Sequence, residues 1–269
     1  MENRTEYIKQ LILNILEREK ACYGRELEVR LEGKDNIEHW DVWRVRKEMK
    51  NKREVRTFHQ RTIGATFYYP KNLKLNDIKN IIGKKTKLIQ YLRKISEAED
   101  KSLGRHAENI ILEALRKCNF NVLNRDFKWF QGREYDGEED LDFLAEKDDI
   151  YYGVEVKNKL DNIKWKDSRK KDIETILEIC KTLGLVPMII TRYLPGMYKR
   201  RLIGSKALII DYKDLIVHPD FKEYALKWKS ILGFPVYICD RPPQNLLQKI
   251  TGAHNYSKKQ NFWDKWKKD

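Results

Sequence analysis

The sequence lacks any apolar run of about 18 residues, so nothing in it is expected to span a membrane. Its first residues, "MENRTEYIKQ", are charged and lack the apolar block of a secretory signal. Cysteine is scarce: Cys22, Cys118, Cys180 and Cys239 lie far apart, with no zinc-ligand spacing. They read as reduced thiols of a cytoplasmic protein. Internal repeats and long low-complexity tracts are also missing. These absences exclude a membrane protein, a disulfide-stapled scaffold and a repeat array.

What is there is charge. Of 269 residues 36% are charged and 41% are hydrophobic, enough for one large core or two smaller ones. The net charge of +14 points to a polyanionic partner, most simply nucleic acid. The basic excess lies outside residues 104–218, a segment that is instead rich in carboxylates. That is the balance of a metal-binding core flanked by basic arms.

Residues 1–72 predict three helices and a hairpin. Ile8, Leu11, Ile12 and Ile15 form a helical stripe, and "YGRELEVRLEG" reads as a short helix stopped at Gly33. A third helix over 37–51 sets Val42, Val45 and Met49 on one side, and Trp43, Arg44, Lys47 and Lys50 on others. "REVRTFHQRTIGATFYYP" alternates about a turn, as a hairpin does, and carries Arg56 and Arg61. This is the plan of a winged helix, in which the third helix enters a groove and the hairpin touches the backbone. Trp43, Arg44, Lys47, Lys50, Arg56 and Arg61 are its candidate DNA contacts. Residues 73–103 read as a basic helical connector, capped by Asn76 and interrupted at Gly83.

Residues 104–218 predict helix, three strands, helix, strand: a mixed α/β sheet flanked by helices. Within it, "YYGVEVKNK" places Val154 and Val156 on one face of a strand. Glu155 and Lys157 share the other, as an exposed pair. The pattern acidic–any–Lys is common in this chain, starting also at Glu32, Glu48, Asp77, Glu99, Asp126, Asp211 and Asp220. Only Glu155–Lys157 lies inside a strongly apolar strand that follows another carrying Asp142. The "EKDD" turn between them allows a hairpin that brings Asp142 beside Glu155. Two carboxylates suit Mg²⁺, or Mn²⁺, which keeps several of its waters. A neighbouring lysine can orient or deprotonate an attacking water.

The line "GRHAENIILEALRKCNFNVLNRDF…GEEDLDFLAEKDDIYYGVEVKNK" resembles the PD-(D/E)xK nuclease superfamily, which has a restriction-endonuclease-like fold. Its nearest likeness is to the branch of Holliday-junction resolvases and their small bacterial relatives. Gly104 and Glu108 match the opening Gly-x-x-x-Glu helix of that branch. Asp142-Phe143-Leu144-Ala145 and Glu155-Val156-Lys157 match its two strand blocks. The resemblance implies metal ligation by Asp142 and Glu155, helped by the Val156 carbonyl. It implies a water-positioning Lys157, an outer role in the metal or water network for Glu108, and assistance from Asp140. Leu141 stands where the family name has Pro, a common replacement. The likeness covers roughly residues 104–190.

After residue 218 the basic and aromatic extension 219–269 predicts a helix, a short strand and a helix. It ends in "NYSKKQNFWDKWKKD", whose Phe262, Trp263 and Trp266 could stack on bases or dock on the protein itself. The expectation is a Mg²⁺-dependent DNA endonuclease acting on duplex or branched DNA, and a homodimer if both strands are cut. Two alternatives stand beside it. One is a structure-specific junction or flap nuclease; the other is a non-catalytic winged-helix regulator. RNA also remains open as a substrate.

Overall fold

A computed structural model describes residues 2–97, 102–160 and 172–266. The chain divides into two compact units. One comprises Met1–Ala98 with Phe221–Val236, the other Glu99–Asp220 with Tyr237–Asp269. Among the described residues, no helix is long and apolar enough to cross a membrane.

In the first unit, α1 (Glu2–Glu19) buries Ile8, Ile12, Ile15 and Leu16, while Leu11 is half-buried. β1 (Cys22–Tyr23) and α2 (Gly24–Leu31) follow, and Gly33 turns the chain with φ 74°. α3 (His39–Asn51) opens on a capping box between Glu38 and Asp41, which satisfies otherwise orphaned amides. Its buried stripe is Val42, Val45 and Met49, as the 3.6 period predicts. β2 (Val55–Gln60) and β3 (Ala65–Pro70) pair antiparallel, from Val55↔Pro70 to Gln60↔Ala65. β1 adds to β3, giving the order β1-β3-β2. A two-residue strand carries no periodicity, so the sequence does not announce it.

α4 (Leu75–Ser96) differs from expectation at both marked points. Lys74, not Asn76, is the N-cap, and its amide donates to Asp77 at 3.0 Å. The helix also runs unbroken through Gly83. A glycine there costs only about 1 kcal/mol against alanine. Burial of Ile78, Ile82, Ile89 and Leu92 along the same helix outweighs that. One of its basic residues is spent inside: Lys85 is 2% exposed and donates to Glu26 at 2.6 Å and to the Ala21 carbonyl at 2.7 Å. The later piece of this unit supplies α8 (Lys222–Lys227). After it Trp228 is buried, its indole N–H on the Leu88 carbonyl at 3.2 Å.

The second unit begins with α5 (Leu103–Lys117), capped by the Ser102 hydroxyl on the Arg105 amide. β4 (Asn121–Phe127) comes next. The single long strand expected over "FNVLNRDFKWF" breaks after Phe127 into a small hairpin, β5 (Trp129–Phe130) with β6 (Arg133–Glu134). β7 (Leu141–Lys147), β8 (Ile150–Lys157), α6 (Ile173–Leu183) and β9 (Val186–Thr191) follow. α7 (Gly196–Gly204), β10 (Leu208–Asp211) and β11 (Leu215–Val217) come after them, and α7 and β11 were not expected. The sheet order is β10-β9-β8-β7-β4, parallel from β8 to β10 and antiparallel from β8 to β4. The architecture is thus α/β, with mixed and antiparallel sheets flanked by helices. β12 (Val236–Ile238) leads to α9 (Gln244–Lys259) and α10 (Trp263–Trp266).

β8 sits in the middle of the sheet and is packed on both faces. On one, Tyr152 contacts His254 at 2.8 Å and Ser257 at 3.0 Å, both on α9. On the other, Gly153 lies so close to Cys180 of α6 that a side chain would meet Sγ at 2.7 Å. Phe262 and Trp266 of the tail are buried in this core, and Trp266 donates to the Lys206 carbonyl at 3.1 Å. The Trp263 side chain lies outside the described residues, as does Glu99 of the Glu99–Lys101 match.

Burial lowers the pKa of both His254 and His106, the latter held against the Cys239 carbonyl at 2.8 Å. A histidine kept neutral by the fold contributes stability that is full above its ordinary range, about 6.5. That stability is lost as pH falls through the folded value. Thermal stability of the protein should therefore fall steadily on acidification below about pH 6.5. His254→Gln should remove part of that slope. An unchanged melting temperature from pH 7 to pH 5 would contradict it.

Candidate active site

Phe143 of β7 pairs with Val154 of β8, which sets Asp142 opposite Glu155 at the next step of the antiparallel ladder. Asp142 is half-buried, and its carboxylate accepts the Val156 N–H at 2.6 Å. Glu155 and Lys157, two apart on one face, bond to each other. The pair is not the exposed one expected. Glu155 is 0% exposed and the Lys157 side chain 18%, because β8 is central and both its faces are covered. A carboxylate at that depth needs a charged partner. Lys157 supplies one.

Glu108 projects from α5. It accepts from Arg105 at 2.9 Å and lies 3.7 Å from Arg125. Arg105 links the two parts electrostatically: Glu108 most strongly, then Asp126 and Asp142, favour its charged form. The sequence reading passed over both arginines. Arg125 lies opposite Phe143 in the β4–β7 register with its guanidinium over that ring, a contact that only the folded sheet creates. Asp140 stands one residue before β7 and is half-buried.

The main chain at Lys157 is held by groups distant in sequence. Its carbonyl accepts from the Arg192 amide at 3.0 Å, the Tyr212 hydroxyl at 3.2 Å and the Thr191 hydroxyl at 3.3 Å. Burial keeps the Tyr212 phenol well above its ordinary pKa, so it stays a donor. Next to it, buried Asn158 donates to the carbonyls of Leu103 and Ile216, each at 2.7 Å, and accepts the Ile216 amide at 2.9 Å. Asn158 therefore pins the end of β8 to the start of α5 and to β11. Asn158→Ala strands several buried polar groups, each costing about 1–3 kcal/mol. Urea unfolding should show a loss at the upper end of that range or beyond.

The candidate nucleic-acid contacts lie in the first unit. Arg44, Lys47 and Lys50 are exposed on α3, Trp43 is half-buried, and Arg56 and Arg61 are exposed on and beside the hairpin. Arg56 also donates to the Leu73 carbonyl at 3.2 Å. Arg46, from the same basic run, turns inward to Glu28 at 2.7 Å and the Tyr68 hydroxyl at 3.0 Å.

Among the described residues, no three His, Cys, Asp or Glu side chains converge as a closed metal cage would. The donors on offer are hard oxygens: the carboxylates of Asp142 and Glu155 on neighbouring strands, and the main chain at Val156 between Glu155 and Lys157. That set fits Mg²⁺, which takes one or two carboxylates and retains water, better than a four-coordinate site of Cys and His. Compared with family models, with curated proteins and with solved structures, the chain matches none of them.

Proposed function

We propose that the chain is a Mg²⁺-dependent DNA endonuclease of the PD-(D/E)xK type. In this reading the first unit is a winged helix and the second a restriction-endonuclease-like domain. The observation that carries it is the Asp142 carboxylate on the Val156 amide, beside the buried Glu155–Lys157 pair. The element order α5-β4-β7-β8-α6-β9, with the little β5–β6 hairpin inserted, supports it, since it places these residues on adjacent central strands.

Asp142 and Glu155 would hold the ion, with Val156 contributing its carbonyl. Bound there, Mg²⁺ supplies positive charge against the negative charge that develops on the phosphate. Lys157, whose main chain is clamped by Thr191, Arg192 and Tyr212, orients the attacking water by donating to it from the ammonium at Nζ. Water attacks phosphorus in line, the P–O bond opposite breaks, and the water's proton passes to solvent while the leaving oxygen takes one up. Glu108, held by Arg105 and Arg125, sits in the outer network and fixes charge near Asp142. Arg44, Lys47 and Lys50 with Arg56 and Arg61 meet phosphates, and a homodimer brings two sites to two strands.

The test is cleavage of labelled duplex, single-stranded, flap and four-way-junction DNA, with Mg²⁺ and with chelator. Cutting of any of these only with metal supports the reading, and the substrate ranking separates a junction or flap enzyme from a duplex one. No cleavage of DNA or RNA with any divalent ion, but tight DNA binding, would leave the non-catalytic regulator. For delivery, Arg44→Ala with Lys47→Ala should weaken duplex binding and flatten its logarithmic salt slope by about two. Unchanged affinity and slope would remove α3 from the interface.

A further inference from the structure

The outer surface of α3 also carries Trp40, which is not among the candidate groove contacts. Trp40 is 64% exposed, and its ring stacks on that of Trp43 with centroids 4.6 Å apart and planes 19° off parallel. The Lys47 ammonium lies 4.9 Å from the Trp43 ring centre. Residues 40, 43 and 47 follow one helical stripe, so Trp40 and Lys47 flank Trp43 from opposite ends of the axis. The array is therefore lysine, indole, indole, and then solvent. The nearby carboxylates Asp41 and Glu48 are engaged, Asp41 by Arg4 at 3.3 Å and Arg44 at 3.6 Å, and Glu48 by Lys52 at 2.6 Å.

A large exposed indole with an open face is unusual on a helix whose other side already supplies the core. An aromatic stack that ends in solvent beside cations is complementary to one more flat ring attached to a phosphate. Bases inside a duplex show only their edges, whereas an unpaired or terminal base offers its π-face. We propose that Trp40, backed by Trp43 and Lys47, is a stacking platform for an unpaired base, so that the first unit binds duplex bearing a single-stranded extension. This rests on the reading of the first unit as a nucleic-acid binder and names the substrate form it prefers.

The experiment uses the full chain in chelator, so that nothing is cut. Anisotropy is measured with a blunt duplex and with the same duplex carrying a short single-stranded overhang. 2-Aminopurine at the first unpaired position reports stacking by its quenching. Wild type should bind the overhang more tightly than the blunt duplex and quench the probe. Trp40→Ala should lower overhang affinity roughly ten-fold, to the blunt level, and abolish quenching. Trp40→Phe should keep most of both, and blunt-duplex affinity should stay within about two-fold in all three. Equal loss on blunt and overhang DNA would make Trp40 an ordinary groove contact and overturn the platform. Unchanged overhang affinity and quenching in Trp40→Ala would overturn it too, with the nucleic-acid reading left standing. Failure of wild type to bind any oligonucleotide would remove both readings at once. A Trp40→Ala change confined to sedimentation would make the patch a contact between copies of this chain.

Discussion

Asp142→Asn is expected to lower Mg²⁺-dependent cleavage about 10²–10³-fold while leaving the protein folded. The magnitude follows from the several kcal/mol of charge stabilisation that a bound cation supplies, at about 1.4 kcal/mol per ten-fold. The variant is clean because an asparagine Oδ1 can still accept the Val156 N–H that Asp142 accepts at 2.6 Å. The charge is lost and the other oxygen becomes an NH2 donor. Binding of DNA in chelator should persist or tighten, since a negative charge near phosphate has been removed. Glu155→Gln should behave alike. Lys157→Ala should also stop cleavage, but it takes the ammonium from a carboxylate that is 0% exposed. Its kinetics are therefore to be read beside an unfolding curve. Glu108→Gln should be milder, because Glu108 faces Arg105 and Arg125. Wild-type cleavage by Asp142→Asn would sink the site.

The second large effect concerns stability. Lys85→Met should cost about 3–5 kcal/mol, a large share of the roughly 5–15 kcal/mol that holds a domain together. Lys85 and Glu26 are 2% and 0% exposed, and 2.6 Å apart. Removing the cation leaves a buried carboxylate with Arg30 at 3.1 Å as its remaining strong charge partner. Burial already lifts the Glu26 pKa above the ordinary value, and Lys85 pulls it back down. Without Lys85 it rises further. A carboxyl whose folded pKa is raised favours folding below its ordinary value, near 4.5, and loses that contribution as pH rises. The deficit of Lys85→Met should therefore be smallest near pH 4.5 and grow toward neutrality. Lys85→Met with Glu26→Leu should recover most of the stability, because the pair is replaced as a whole by apolar groups while Arg30 keeps Glu19 at 3.3 Å. A pH-independent deficit would show that Glu26 is not the partner that matters.

Local rules determined much of the chain. Period placed α1, α3, α5 and α6, and alternation with turn residues placed the β2–β3 and β7–β8 hairpins. The juxtaposition of Asp142 with Glu155 was legible for the same reason: a short turn joins two antiparallel strands, so pairing follows from counting residues. What counting could not supply is depth. Glu155 read as part of an exposed pair and Lys85 fell in a basic connector, and only the order β10-β9-β8-β7-β4 and the packing of α4 put them inside. For Phe262 and Trp266 the sequence left open stacking on bases or docking on the protein itself, and their burial in the core of the second unit decides for docking. The clamps on the Lys157 carbonyl come from positions 34 to 55 residues away. No local pattern marks such partners. Burial and hydrogen bonding across that distance depend on which elements become neighbours, and that is settled only when the whole apolar surface finds its packing.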